Sequence, residues 1–162
     1  MSRRVQISVI GAAEGEEALL RDAEEVGRRV AEADAVLVCG GRTGVMEAAS
    51  RGASEAGGTV VGVLPTLSPA DANHYVTYAV ATGIGEARNL AVVASGEAVI
   101  AVGGEWGTLS EIAHARKIGR PVIALQSWTL RNRTDTDLGI VEAETPEEAV
   151  DAALSAAAGT QP

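Results

Sequence analysis

AVLVCGGRTGVMEAA (35–49) and AVIAVGGEWGTLSEIA (98–113) share one plan: an apolar run, the spacing Gly-Gly-x-x-Gly, then a helical pattern. Each run is β-rich and uninterrupted by polar residues, as expected of a strand buried on both faces. Working outward, VQISVIG (5–11), TVVGVLP (59–65) and PVIAL (121–125) read the same way, and YVTYAV (75–80) is a weaker strand candidate. The segments 16–32, 44–56, 86–95 and 108–118 carry Ala, Leu and Val at helical spacing with charges between them. This alternation predicts an α/β fold, a single-domain Rossmann-like three-layer sandwich over 1–162 with a mostly parallel central sheet. TPEEAVDAALSAA (145–157) closes the chain as a helix with Thr145 as N-cap, Pro146 at the first helical position and Glu148 completing a capping box. The stretches 65–74 and 131–137 read as surface loops.

The chain has 162 residues, 46% of them hydrophobic and 22% charged, enough for one core and unlike a disordered composition. No apolar run approaches a membrane span, and the N-terminus enters a strand pattern without a signal-peptide region, so a cytoplasmic location and no membrane partner are expected. Thirteen Lys+Arg against 22 Asp+Glu give a net charge of −9, which disfavours nucleic acid as a partner. Lys117 is the lone lysine, so a bound anion would meet arginine or backbone amides. Cys39 is the single cysteine, which excludes an internal disulfide and a multi-cysteine zinc site. It sits at the end of a strand and reads as core.

In a parallel sheet both glycine loops emerge at the carboxyl edge, where ligands bind near a topological switch point. Backbone without Cβ approaches an anion closely, and the following helix offers free N–H groups and a positive dipole end. Gly40, Gly41 and Gly44 in the first loop, and Gly103, Gly104, Gly107 and Thr108 in the second, are therefore candidate phosphate-binding residues. GxGxxG is absent after every strand and so is GxxxxGK[ST], which argues against a standard NAD site and against ATP hydrolysis.

GGEWGTLSE (103–111), together with GEARN (85–89) upstream, resembles the PGGxGTxxE motif and its preceding arginine in the Lonely-guy (lysine-decarboxylase-like) family. GGRTGVMEAASRGASEAGGTVVGVLP (40–65) is similar to that family's other glycine loop, helix and strand, and the order agrees over about residues 5–125. The resemblance implies a nucleoside 5′-monophosphate phosphoribohydrolase, releasing base and ribose 5-phosphate, or a non-catalytic relative in the same superfamily that carries molybdenum cofactor. On the hydrolase reading, Gly104, Gly107 and Thr108 hold the phosphate, Arg88 orients the nucleotide and Glu111 stabilises an oxocarbenium-like ribose. Gly103 stands where the motif has proline, Glu105 where it has its second glycine, and Ala87-Arg88-Asn89 where active enzymes have Glu-Arg-Lys. These departures lean toward the carrier branch. No resident cofactor is implied.

Each candidate also has a plain structural reading. Thr108-Leu109-Ser110-Glu111 fits a capping box, in which Thr108 caps the helix and Glu111 returns to the cap amide. Arg88 could be a solvated helix residue, and Glu105 could pair with Arg42. His74 and His114 do not have metal-ligand spacing, so no metal site is expected. Trp106 flanks a base or shields its loop, and Trp128 reads as packing. A small phosphate-bearing ligand is the expected partner. A homodimer is expected from the family resemblance and from the Ala-rich faces at 44–56 and 108–118.

Overall fold

A computed structural model describes residues 3–134 and 136–159. Seven strands, β1 (Gln6–Gly11), β2 (Val36–Cys39), β3 (Thr59–Leu64), β4 (Tyr78–Ala81), β5 (Ala98–Val102), β6 (Val122–Leu125) and β7 (Ile140–Ala143), form one sheet in the order β4-β3-β2-β1-β5-β6-β7. Every neighbouring pair is parallel, so the expectation of a mostly parallel sheet sharpens to a wholly parallel one. Helices α1 (Glu17–Glu32), α2 (Val45–Glu55) and α5 (Pro146–Gly159) cover one face, and α3 (Arg88–Ser95) and α4 (Trp106–Lys117) cover the other. This is the Rossmann-like three-layer sandwich.

The apolar runs become strands because both of their faces are covered. Every residue of β5 and β6 is buried, with no alternation to break the pattern. Under α1, α2 and α5 the core is built on Ile7, Val9, Leu37 and Ile100; under α3 and α4 it is Ile10, Val38, Val92, Val99 and Ile112. At about 25 cal/mol per Å² these two layers are the main source of stability. Ser8, fully buried, donates its hydroxyl to Val92 O at 2.6 Å and ties β1 to α3. Helices α1 and α2 meet through Gly27 and Gly52, where a Cβ on either would fall on the other helix's backbone, at Ala49 O and Glu24 O respectively. That contact buries the small-residue face of α2 inside the fold, so the face read at 44–56 as a dimer surface is already covered.

Three local outcomes differ from the sequence reading. The weak strand shifts to Tyr78–Ala81 and becomes the edge beside β3. Strand β7 was not anticipated: it is four residues long, exposes Val141 and Glu142, and follows β6 without a crossover helix. At the last helix Thr145 Oγ1 accepts from Glu148 N at 3.2 Å, while the Glu148 carboxylate accepts from Glu144 N at 2.9 Å, one residue before the expected cap amide. No helix among the described residues is long and apolar enough to cross a membrane.

Candidate functional site

The chain builds outward from β1 through β4, then returns to place β5 on the other side of β1. Loops therefore diverge at the carboxyl ends of β1 and β5, and a cleft of about 230 Å³ opens there. Its walls come from the end of β1 (Gly11, Ala12, Ala13), from Gly40 and Met46 after β2, from Glu86, Arg88 and Asn89 at the start of α3, and from Glu105, Gly107, Thr108 and Glu111 of α4.

Arg88 reaches the cleft floor through a series of short backbone ties. Gly83 N donates to Thr66 O and Gly85 N to Pro65 O, pinning the segment after β4 against the segment after β3, and a 3₁₀ turn (Gly85–Ala87) leads into α3. The guanidinium then lies over Gly40, where a Cβ would overlap Arg88 Nη1. Only glycine leaves that space. Arg88 is 6% exposed, and its Nε has no hydrogen-bond partner. It is a buried cation rather than a solvated helix residue. Burial lowers its pKa from the ordinary guanidinium value, and the nearby carboxyls of Glu111 and Glu86 oppose that shift.

Glu111 follows Gly107 and Thr108 by one helical turn, so the three share a face of α4. Thr108 is 2% and Glu111 8% exposed. Burial pushes the Glu111 carboxyl up to about 8, with the Arg88 charge opposing and Glu86 reinforcing the shift. Burial thus favours the neutral form of this acid. The capping-box reading is corrected here: α4 begins two residues earlier, at Trp106, its N-cap is Glu105, and no side chain caps it. Thr108 and Glu111 are thus interior helix positions facing the cleft. The amides of Trp106, Gly107 and Thr108 donate to no protein atom among the described residues.

The other predicted glycines stand behind the cleft. Gly41 (φ +70°) packs on Leu64, and Gly44 (φ +66°) presses on the backbone of Ala12–Ala13. Gly103 (φ +56°) backs onto Leu19, and Gly104 (φ +121°) abuts Thr108. These four shape the loops, while Gly40 and Gly107 line the cleft. Glu105 is exposed and forms no ion pair with Arg42; its carbonyl accepts from Trp128 Nε1 at 3.2 Å. Trp106 lies against Trp128, ring centroids 5.3 Å apart, outside the cleft. Cys39 is fully buried, its thiol pushed up by burial and placed 3.4 Å from Ser50 Oγ, in keeping with a core role. The wall 11–13 escaped the sequence reading. Its one signal is GAAEG (11–15) directly after a buried strand.

An all-parallel sheet with a polar cleft at the β1/β5 switch point, the position at which such sheets take ligands, defines a Rossmann-like α/β protein. The model of the SLOG cluster4 family matches residues 4–150, and the chain belongs to that family. It is 43% identical over 151 residues to an uncharacterized protein of Archaeoglobus fulgidus, covering 93% of this chain and 95% of the relative. Among solved structures it is similar to the molybdenum cofactor binding protein of the phototrophic bacterium Rippkaea orientalis, with a TM-score of 0.86, 35% identity and coverage of 96% of this chain and 98% of that one. It is also similar to the molybdenum cofactor carrier protein of Chlamydomonas reinhardtii, with a TM-score of 0.84, 34% identity and coverage of 96% and 99%. These neighbours bear out the superfamily resemblance carried by the two glycine motifs.

Proposed function

We propose that this protein binds molybdenum cofactor as cargo and carries it without transforming it. The observation behind this reading is Arg88, a cation 6% exposed, aimed into a cleft with an unbonded Nε, beside a helix start with three free amides. Buried charge without a partner is costly, and an anionic ligand offsets that cost. The cofactor is a pterin with a phosphate arm and a dithiolene that holds the metal. Its phosphate sits at Gly107 and Thr108, with Gly104 shaping the turn behind them, and Arg88 orients the rest. Among the described residues no group of three His, Cys, Asp or Glu could hold a metal ion, which suits a cargo that brings its own metal ligands.

The hydrolytic alternative asks Glu111 to be an anion beside a developing ribosyl cation. Burial holds that carboxyl toward its neutral form, and the motif departures at Gly103, Glu105 and Asn89 together with the likeness to molybdenum cofactor proteins favour the carrier reading. The homodimer remains part of the proposal, with α3 and α4 as its surface; Leu90 on α3 and Ile84, just ahead of the 3₁₀ turn, are exposed, whereas α2 packs on α1. A 16.5 kDa monomer by light scattering at micromolar concentration would remove it.

Cofactor released from a molybdoenzyme, incubated with the protein and then exposed to air, tests the carrier role. The surviving cofactor is assayed by activation of a cofactor-free apoenzyme. Wild type should prolong survival several-fold over buffer and over Arg88→Gln; equal decay overturns the reading. Free base released from a panel of nucleoside 5′-monophosphates, detected by chromatography, would restore the hydrolase.

A further inference from the structure

We infer that Arg88 and Glu111 act as a pair that reads a lactam–amidine edge, the adjacent C=O, N–H and NH2 groups shared by pterins and guanine. The inference deepens the carrier proposal and rests on it for the location of the ligand, but not for which of the two ring systems is bound.

Both side chains are more than nine-tenths buried and both line the cleft. Neither hydrogen-bonds to a described protein atom, and they form no ion pair with each other, although each lies within the other's electrostatic reach. Buried polar groups are almost always partnered, so the unbonded Nε of Arg88, within electrostatic reach of a Glu111 carboxyl that makes no hydrogen bond to a described residue, marks a place where a ligand supplies the partners. A phosphate there would satisfy Arg88 but meet Glu111 only through the acid's single proton, leaving its second oxygen unbonded. The free amides at the start of α4 suit phosphate better.

A lactam–amidine edge satisfies both groups at once. Its carbonyl accepts from the Arg88 guanidinium, and its N–H and NH2 donate to the two Glu111 oxygens in the bidentate manner of carboxylates, the acid releasing its proton to solvent as these donors and the Arg88 charge come to stabilise its ionised form. Adenine presents the reverse order of donor and acceptor, and hypoxanthine lacks the amino group, so each leaves part of the pair unbonded. Glu86 and Glu105 also line the cleft, but both are solvent-exposed, where a polar mismatch costs little. Met46 and Ala12 supply apolar contact for the ring.

Isothermal titration of the full chain with four probes tests the inference: guanosine, inosine and adenosine 5′-monophosphates and neopterin monophosphate. The guanine and pterin probes should each bind at least about tenfold more tightly than the inosine and adenosine probes, the scale of one lost hydrogen bond to a charged group. Glu111→Gln should bring all four within about threefold of one another, whereas Gly107→Asp should weaken all four by a common factor and keep their ranking. Equal affinities in wild type, a ranking that survives Glu111→Gln, or no binding of either edge-bearing probe overturns the inference. Tight guanine binding with no pterin binding leaves the edge reading standing and removes the cofactor from the proposed function. Pterin binding with no preference over inosine does the opposite.

Discussion

The loops after β2 and β5 carry the same Gly-Gly-x-x-Gly spacing and end in different physical states. In the first, the opening amide of α2 is already used, Val45 N donating to Ala12 O at 3.0 Å, and Thr43 Oγ1 donates to Ala13 O at 3.0 Å. Asn73 N adds a bond to Gly41 O at 2.8 Å. In the second, the first amides of α4 have no acceptor among the described residues, and a Cβ at Gly107 would meet none of their atoms. A sequence echo thus records a shared turn, while contacts from elsewhere in the chain decide whether the first amide of the helix is used, as at Val45, or left open, as at Trp106. The first loop seats Arg88 over Gly40, and the second leaves its helix start open to the cleft.

The sharpest way to break this contrast is to substitute the equivalent glycines. Gly44→Ala forces a side chain into positive φ and onto the Ala12–Ala13 backbone, so it should destabilise by about 3 kcal/mol or more in urea unfolding. Its counterpart Gly107→Ala meets nothing and should shift stability by less than about 1 kcal/mol, toward stabilisation. Equal losses would erase the distinction between the loops. Gly107→Asp should fold normally yet weaken binding of a phosphate-bearing ligand about a hundredfold, because a carboxylate then occupies the helix start. Unchanged affinity by titration would place the phosphate elsewhere.

The next effect separates the two sides of the cleft by pH. Between pH 4.5 and about 8 the folded chain keeps the Glu111 proton that the unfolded chain has lost, so the folded state binds more protons. Stability should therefore fall as pH rises through that window, by about 2 kcal/mol after allowance for relaxation. Glu111→Gln should remove this component, seen as a smaller difference between unfolding midpoints at pH 5 and pH 8. A wild-type slope retained in the variant would show that Glu111 is not its source. Smallest is Trp128→Phe, which deletes the bond to Glu105 O and should cost about 1 kcal/mol in thermal unfolding.

How much of this was legible in the sequence follows from which signals are local. Apolar runs such as AVIAV (98–102) announce buried strands because the need for apolar cover on both faces is written into every residue. Ile140–Ala143 has no such run, and the missing crossover helix removed the cadence that marks its neighbours. Arg88, Glu111, Gly40 and Gly107 were found through their motifs, and the cleft does bring them together. The burial that turns Glu111 into an acid with a high pKa depends on long-range packing, and a capping-box pattern cannot reveal it. The wall at Gly11–Ala13 was missed for the opposite reason: it contributes backbone and methyl groups, which carry no chemical flag.

The glycine contact between α1 and α2 has a mechanical consequence. With Gly27 and Gly52 each set against the partner helix's carbonyl, neither helix can slide without driving backbone into backbone. The pair behaves as a rigid slab, and through Val45 N and Ala12 O it holds the β1 and β2 rims of the cleft at a fixed separation. Helices α3 and α4 press on the sheet with Val92, Val93, Ile112 and Ala115, side chains that tolerate small shear. On the proposed function, admission and release of the cargo would fall to the α3–α4 side, one stationary jaw meeting one that gives.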